Sequence, residues 1–325
     1  MPLVLNLHDA DDDTPGPNSL MKNLARHKRA VEANRIPSPA LRREQLNRLG
    51  KLITDNAEKF VASIDEDFGG RARIETEMFE LAPVMQAVRH ARKNIRKWTK
   101  PRKKSTDLTF FPSRAEVRYE PLGVVGIISP WNYPVNLALS PLCDALAAGN
   151  RVMLKPSELT PATSDLLAEL IPQYFENTEV SVITGGAEVA AQFSALPFDH
   201  LLFTGSTAVG RKVAKAAAEN LVPTTLELGG KSPAILCEDY SVDKAARSLA
   251  FGKFINAGQT CIAPDYVLAP KSMVSSLVDA LQEVIRKSYP DLSAQDYSCI
   301  ISERHLSRLR NMLEEAGKLG AEIHI

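Results

Sequence analysis

After Pro121 the chain alternates between two kinds of segment. VVGIIS, RVMLK, VSVI, HLLFTG, TTLEL and AILC are short apolar runs rich in β-branched residues. Between the first five lie VNLALSPLCDALAAG, PATSDLLAELIPQYF, AEVAAQFSAL and STAVGRKVAKAAAEN, which read as helices. Strands that are apolar on both faces must be covered on both faces, and helical crossovers join parallel neighbours. The rhythm therefore predicts an α/β fold built on a parallel sheet with helices on both sides. Ligands of such sheets sit beyond the carboxyl ends of the strands. The polar residues that directly follow each strand are thus the first candidates for function.

Ahead of the sheet, residues 19–100 read as helical. Ser38 before Pro39 is a helix start, because serine accepts from orphan amides and proline has no amide to orphan. Leu41, Leu46, Leu49, Leu52 and Ile53 follow at helical spacing, Gly69-Gly70 interrupts, and a further helix is expected from about Glu75 towards Trp98. RKNIRKWTKPRKK carries eight basic residues. It reads either as a phosphate-binding patch or as a solvated helix face running into a linker at Pro101, and the neutral whole favours the second. LTFFPSRAEVRY alternates as an extended arm or hairpin does. The final AEIHI reads as one more strand, either an edge or the start of an incomplete second unit.

Composition narrows the function classes. The 325 residues have room for about two domains. Lys plus Arg and Asp plus Glu both number 39, so no net charge draws the chain to nucleic acid or an anionic membrane. No apolar run reaches the roughly 18 residues of a spanning helix. The first 18 residues, without a basic start and a long apolar run, are expected to be a loose leader. Four widely spaced cysteines with no C-x-x-C point to a reducing, cytoplasmic setting. The six histidines are scattered with no H-x-x-x-H, so no metal site is expected, and no G-x-S-x-G elbow suggests a serine hydrolase.

Several short motifs remain. LLFTGSTAVGRK sets Gly205 and Gly210 between a strand and a helix, a turn suited to phosphate. Thr207 stands where the dinucleotide fingerprint has its second glycine, and Arg211-Lys212 replaces the Lys-Ser/Thr of a P-loop, so the turn is either cofactor-binding or a plain strand–helix junction. Trp131, Asn132 and Tyr133 follow one strand; Lys155, Ser157 and Glu158 follow another. Glu227 follows TTLEL, where an unpaired buried carboxylate would be costly. It is either exposed at a sheet edge or held in a partly apolar site as a general base. Cys143, Cys237 and Cys299 read as core filler. Cys261, in KFINAGQTCIAPD, has small polar neighbours unlike a core, which suit a loop where substrate approaches a thiol. Core packing is the competing reading.

Together WNYP, KPSE, FTGS with G-x-T-x-x-G, ELGGK and GQTC resemble, in order, the motifs of the NAD(P)-dependent aldehyde dehydrogenases. DFGGRARIETE, PLGVVGIISPWNYP, LPFDHLLFTGSTAVG and NAGQTCIAPDYVL are similar to the coniferyl aldehyde dehydrogenases of the class 3 and fatty-aldehyde branch. The resemblance implies a Rossmann-type NAD(P)-binding domain over 19–230 with an oligomerisation arm near 105–121, and a catalytic domain from 231 to 325. It implies Cys261 as nucleophile, Asn132 with the Cys261 amide as oxyanion donors, and Glu227 as the base that activates water. It further implies Lys155 and Glu158 at the adenosine ribose, Gly205, Ser206 and Gly210 at the pyrophosphate turn, and Trp131 and Phe203 around the pocket. A small aldehyde, aromatic or unsaturated, would be the substrate, NAD or NADP the cofactor, and a homodimer the assembly. The family's downstream E-I-F-G-P motif does not occur, so the catalytic part is expected to be incomplete. A nucleotide-binding protein without turnover and a thiol esterase are the other readings.

Overall fold

The computed structural model describes residues 16–291 and 297–324, so most of the expected leader lies outside the described residues. Helix α1 (Pro17–Ala33) opens the described chain. Helix α2 (Pro39–Asp55) starts as its sequence predicts, with the Ser38 hydroxyl accepting from the Leu41 amide and Pro39 in the first turn. Helix α3 (Ala57–Phe68) stops at Gly69, which takes the left-handed cap that glycine adopts without strain. The helix expected from Glu75 to Trp98 is three consecutive pieces: α4 (Arg73–Thr76), a π turn over Glu77–Leu81, and α5 (Ala82–Trp98).

The basic stretch then departs from its expected form. Arg102–Lys104 is not linker but a short strand, β1, paired antiparallel with β2 (Ala115–Val117). The hairpin carries Leu108 and Phe111 at its tip, 91% and 83% exposed.

The main sheet has the strand order β5-β4-β3-β6-β7, all parallel. Its strands are β3 (Val124–Ile128), β4 (Arg151–Lys155), β5 (Val180–Val182), β6 (His200–Gly205) and β7 (Thr224–Leu228). They are joined by α6 (Asn136–Ala148), α7 (Pro161–Tyr174), α8 (Ala187–Ser194) and α9 (Thr207–Ala218). The chain steps outward from β3 to β5, then returns to the other side of β3 for β6 and β7, so the order reverses between β3 and β6. Alternate residues of the strands feed two cores. Val125, Ile127, Val152 and Leu154 face a core shared with α2, α3, α5, α6 and α7. Val124, Ile128, Met153, Leu201 and Phe203 face one shared with α1, α8 and α9.

A second, two-stranded parallel sheet pairs β8 (Ser232–Ile235) with β9 (Pro264–Leu268). Helices α10 (Val242–Phe254) and α11 (Val274–Ser288) share its small core around Leu236, Ala246 and Leu277. Helix α12 (Glu303–Lys318) follows. The expected final strand does not form: residues 321–324 join no ladder, and Ile325 lies outside the described residues. Among the described residues no helix is long and apolar enough to cross a membrane.

One buried histidine makes the fold sensitive to acid. His27 on α1 is fully buried and its Nε2 lies 3.0 Å from the Ser181 hydroxyl of β5. Burial, reinforced by Arg26 and Arg151, lowers its pKa from 6.5 to about 4. The folded form thus resists a proton that the unfolded chain accepts, so this contribution is intact above about pH 6.5 and is lost as pH falls towards 4. Chemical denaturation should show a loss of roughly 2–3 kcal/mol from this group across that window. His27→Gln, which keeps a hydrogen bond to Ser181 without a titrating ring, should flatten that part of the profile; an unchanged profile would contradict the assignment.

Candidate active site

Three loops meet beyond the carboxyl end of β3. The first is the β3–α6 connection carrying Trp131, Asn132 and Tyr133; the second runs from α10 through a tight turn (Ile255–Gly258) to Cys261; the third follows α3 and carries Arg71. They are bonded to one another by side chains. The Asn132 amide donates to the Gln259 carbonyl at 3.0 Å, and the Tyr133 and Thr260 hydroxyls lie 2.7 Å apart. Gln259 and Thr260 immediately precede Cys261, so the candidate oxyanion donor and the candidate nucleophile belong to one bonded unit. A primary amide has two N–H groups. One is used here to fix the Asn132 side chain, leaving the second with a set direction.

Cys261 is exposed in a turn, not packed in a core, which removes the competing sequence reading. Behind it the backbone is contorted: Asn256 and Ala257 both take φ of 52° and Gly258 takes 75°. Alanine in the left-handed region costs about 1–2 kcal/mol, so the surroundings must over-determine this turn. They do so through Asn256, whose amide reaches the Asn132 carbonyl at 2.9 Å and whose backbone N–H donates to Glu75 at 3.1 Å. Gln259 adds a second anchor, its side chain donating to the Cys299 carbonyl at 3.0 Å and accepting from the Ile301 amide at 2.9 Å.

Beneath these loops lies a buried charge network. The Arg71 and Glu80 side chains are fully buried and 3.1 Å apart. The other Glu80 oxygen accepts from the Val135 and Asn136 amides at 3.1 and 2.7 Å, where α6 begins. Burial pushes the Glu80 carboxyl up to about 7, against the pull of Arg71 and those amides. Burial raises Glu75 and Tyr133 as well.

Glu227 is exposed on β7, an edge strand, the first of the two placements its sequence allowed. The Gly229-Gly230 turn that follows abuts the cysteine loop: a Cβ on Gly230 would stand 3.5 Å from the Cys261 carbonyl oxygen. Lys155, at the end of β4, is buried, donates to the Pro156 carbonyl at 3.0 Å and pairs with the partly exposed Glu158 at 3.2 Å. Burial lowers the Lys155 pKa, with Glu158 opposing. Ser206 caps α9, accepting from the Val209 amide at 3.3 Å. Gly205 and Gly210 lie directly on the residues below: a Cβ on Gly205 would stand 2.6 Å from the Phe203 ring, and one on Gly210 2.7 Å from Leu228. Phe203 therefore supports the glycine turn from the core. Trp131 is half-buried, its ring centroid 5.4 Å from that of His305 on α12.

Two of the remaining cysteine readings are corrected. Cys143 is buried as expected, but Cys237 and Cys299 are exposed: the first follows the open sheet β8–β9, and the second sits on the surface against the Gly69 carbonyl. All four cysteines are free. Among the described residues no group of His, Cys, Asp or Glu forms a metal site.

A "Probable coniferyl aldehyde dehydrogenase" of Pseudomonas aeruginosa is 47% identical over 307 residues, covering 94% of this chain and 64% of that protein. The chain thus spans about 64% of the length of this curated relative. The substrate-bound state of Staphylococcus aureus AldH superposes with a TM-score of 0.87 at 37% identity, over 91% of this chain and 65% of that one. A Mycobacterium tuberculosis aldehyde dehydrogenase complexed with NAD+ gives 0.86 at 29%, over 96% and 65%. Residues 18–325 match the aldehyde dehydrogenase family, and the chain belongs to that family.

Proposed function

We propose that this chain carries the chemistry of an NAD(P)-dependent aldehyde dehydrogenase acting on an aromatic or unsaturated aldehyde of the coniferaldehyde type. The observation that carries the reading is the Asn132 amide bonded to the carbonyl two residues before an exposed Cys261. The substrate class comes from the relative named for coniferyl aldehyde. In this reading 19–230 is the cofactor-binding part and 231–325 belongs to the catalytic part.

The residues present fit a dinucleotide. Gly205 and Gly210 keep the turn so low over Phe203 and Leu228 that a ligand can approach the backbone, and the exposed start of α9 offers a helix N-terminus to phosphate. Lys155 and Glu158, paired at the end of β4, would hold the adenosine ribose. That pairing offsets the Glu158 charge, which leaves both NAD and NADP compatible with the site. When bound, NAD(P)+ supplies the two-electron acceptor for the oxidation.

The protein's own part is then as follows. The Cys261 thiol gives its proton to solvent and its sulfur attacks the aldehyde carbonyl, forming the C–S bond while the carbonyl electrons move to oxygen. The free N–H of Asn132 and the Cys261 amide hold that oxyanion, an arrangement in which one donor is worth about 3–4 kcal/mol. After oxidation the acyl group remains on Cys261 as a thioester, which water cleaves more readily than an oxygen ester. Glu227 takes the proton from the attacking water, releasing the acid and restoring the thiol.

The Glu227 role has a direct readout. Glu227→Gln should still load Cys261 but slow its release about 100-fold or more, so intact-mass spectra taken with aldehyde and NAD should show an acyl adduct that the parent chain clears. Turnover at the parent rate without an adduct would remove Glu227 from the mechanism. The assembly proposed is a homodimer through the β1–β2 hairpin, where Leu108, Phe110 and Phe111 are exposed together. Light scattering should report a dimer that Phe111→Asp converts to monomer; a monomeric parent chain would contradict this.

A further inference from the structure

Asn256 sits five residues before the proposed nucleophile, in a stretch that reads simply as a small polar loop. In the structure it is completely buried and takes a left-handed conformation. Its side-chain amide donates to two carbonyls from different loops, Asn132 at 2.9 Å and Gln259 at 3.4 Å. Its own carbonyl accepts from the Gln259 side chain at 3.1 Å, and its backbone N–H is held by Glu75 at 3.1 Å. The Gln259 carbonyl thus receives both the Asn256 amide and the Asn132 amide.

That arrangement has a mechanical consequence. The Asn132 residue is gripped at two points, its carbonyl by Asn256 and its side chain by a carbonyl that Asn256 also holds. The second N–H of Asn132 owes its direction to both. Asparagine suits the position twice over, since it tolerates the left-handed region better than other non-glycine residues and supplies a two-donor amide. A purely conformational role would be served by glycine as well.

We propose that Asn256 is a positioning residue for the Cys261 site, its buried amide setting where the Asn132 donor stands relative to the sulfur. This rests on the thiol chemistry proposed above, and its test is chosen so that the two claims can fail separately. The probe is p-nitrophenyl acetate, which needs no nicotinamide: the Cys261 thiol gives its proton to solvent, its sulfur bonds to the acetyl carbon, the aryl ester C–O bond breaks, and nitrophenolate leaves with the electron pair. The acylation passes through an oxyanion that the Asn132 amide would hold.

Acylation of Cys261 would be followed by nitrophenolate release and peptide mass in the parent chain, Asn256→Gly, Asn132→Ala and the double variant. Asn256→Gly and Asn132→Ala should each slow acylation about 10-fold or more, and the double variant should be no slower than Asn132→Ala within about 2-fold. A general loss of packing would instead make the two effects multiply. Should Asn256→Gly not fold by its thermal melt, Asn256→Ala replaces it, since Ala257 already takes the same φ. An Asn256→Gly rate within about 2-fold of the parent, or multiplying effects, overturns the proposal. Parallel NADH assays separate the two claims: a non-additive acylation cycle in a chain that forms no NADH from aldehyde leaves Asn256 in its role and removes the redox reading.

Discussion

A single buried cation organises the region where the loops meet. Arg71 has no exposed side-chain surface, and its guanidinium lies between the Phe68 and Tyr133 rings with centroids 5.1 and 4.9 Å away. It pairs with Glu80 at 3.1 Å and reaches the Asn132 carbonyl at 3.4 Å. Taking both charges out of water is expensive, and removing one partner of such a pair typically costs about 3–5 kcal/mol because the other is left uncompensated. Glu80 is further satisfied by two amides at the start of α6; Arg71 gains aromatic faces and the charge of Glu75, 3.9 Å away, while its Nε and Nη2 make no hydrogen bond. The return of the pair is geometric. Glu80 fixes where α6 begins, Arg71 touches the Asn132 loop, and Glu75 holds the backbone of the cysteine loop through Asn256.

The π turn at Glu77–Leu81 is part of the same device. A widened turn rotates the following residues less than an α-helical turn does, which moves Glu80 towards the side of the helix that Glu75 faces. Both carboxylates then serve Arg71 and the loops above it. The parallel sheet supplies the other half of the arrangement. Its order reverses between β3 and β6, and the Asn132 loop, Lys155 and the Gly205 turn all lie at carboxyl ends of neighbouring strands. The Asn132 loop at one of these strand ends and the strained turn before the proposed nucleophile are joined by side-chain bonds, not by sequence proximity.

Much of this is legible in the sequence, and what is not has physical causes. The five strands of the main sheet were readable because strands covered on both faces must be apolar throughout, and the α2 start because Ser38-Pro39 is a strong local signal. Arg71, Glu75 and Glu80 are not legible as site-forming residues because a charge in a helical stretch is usually solvated, and nothing in RARIETEMFE distinguishes a buried ion pair from a surface one. The Gly69-Gly70 break just before Arg71 was the available signal that this stretch leaves the ordinary helix surface. Cys237 reads as core because its neighbours are apolar and Cys299 because no neighbour activates it, whereas one follows an open two-stranded sheet and the other lies on the surface. AEIHI alternates like a strand, but alternation yields a strand only when a partner ladder is at hand, and residues 321–324 meet none. Motif order makes Asn132, Glu227 and Cys261 candidates; the bond from Asn132 to Gln259 requires the fold.

The central claim is that the Cys261 sulfur is the group that attacks the aldehyde. Its most direct test is NADH formation from coniferaldehyde and NAD by the purified chain, side by side with a folded Cys261→Ala variant. The account predicts turnover in the first and loss of essentially all of it in the second. A Cys261→Ala chain that forms NADH at the parent rate would contradict it.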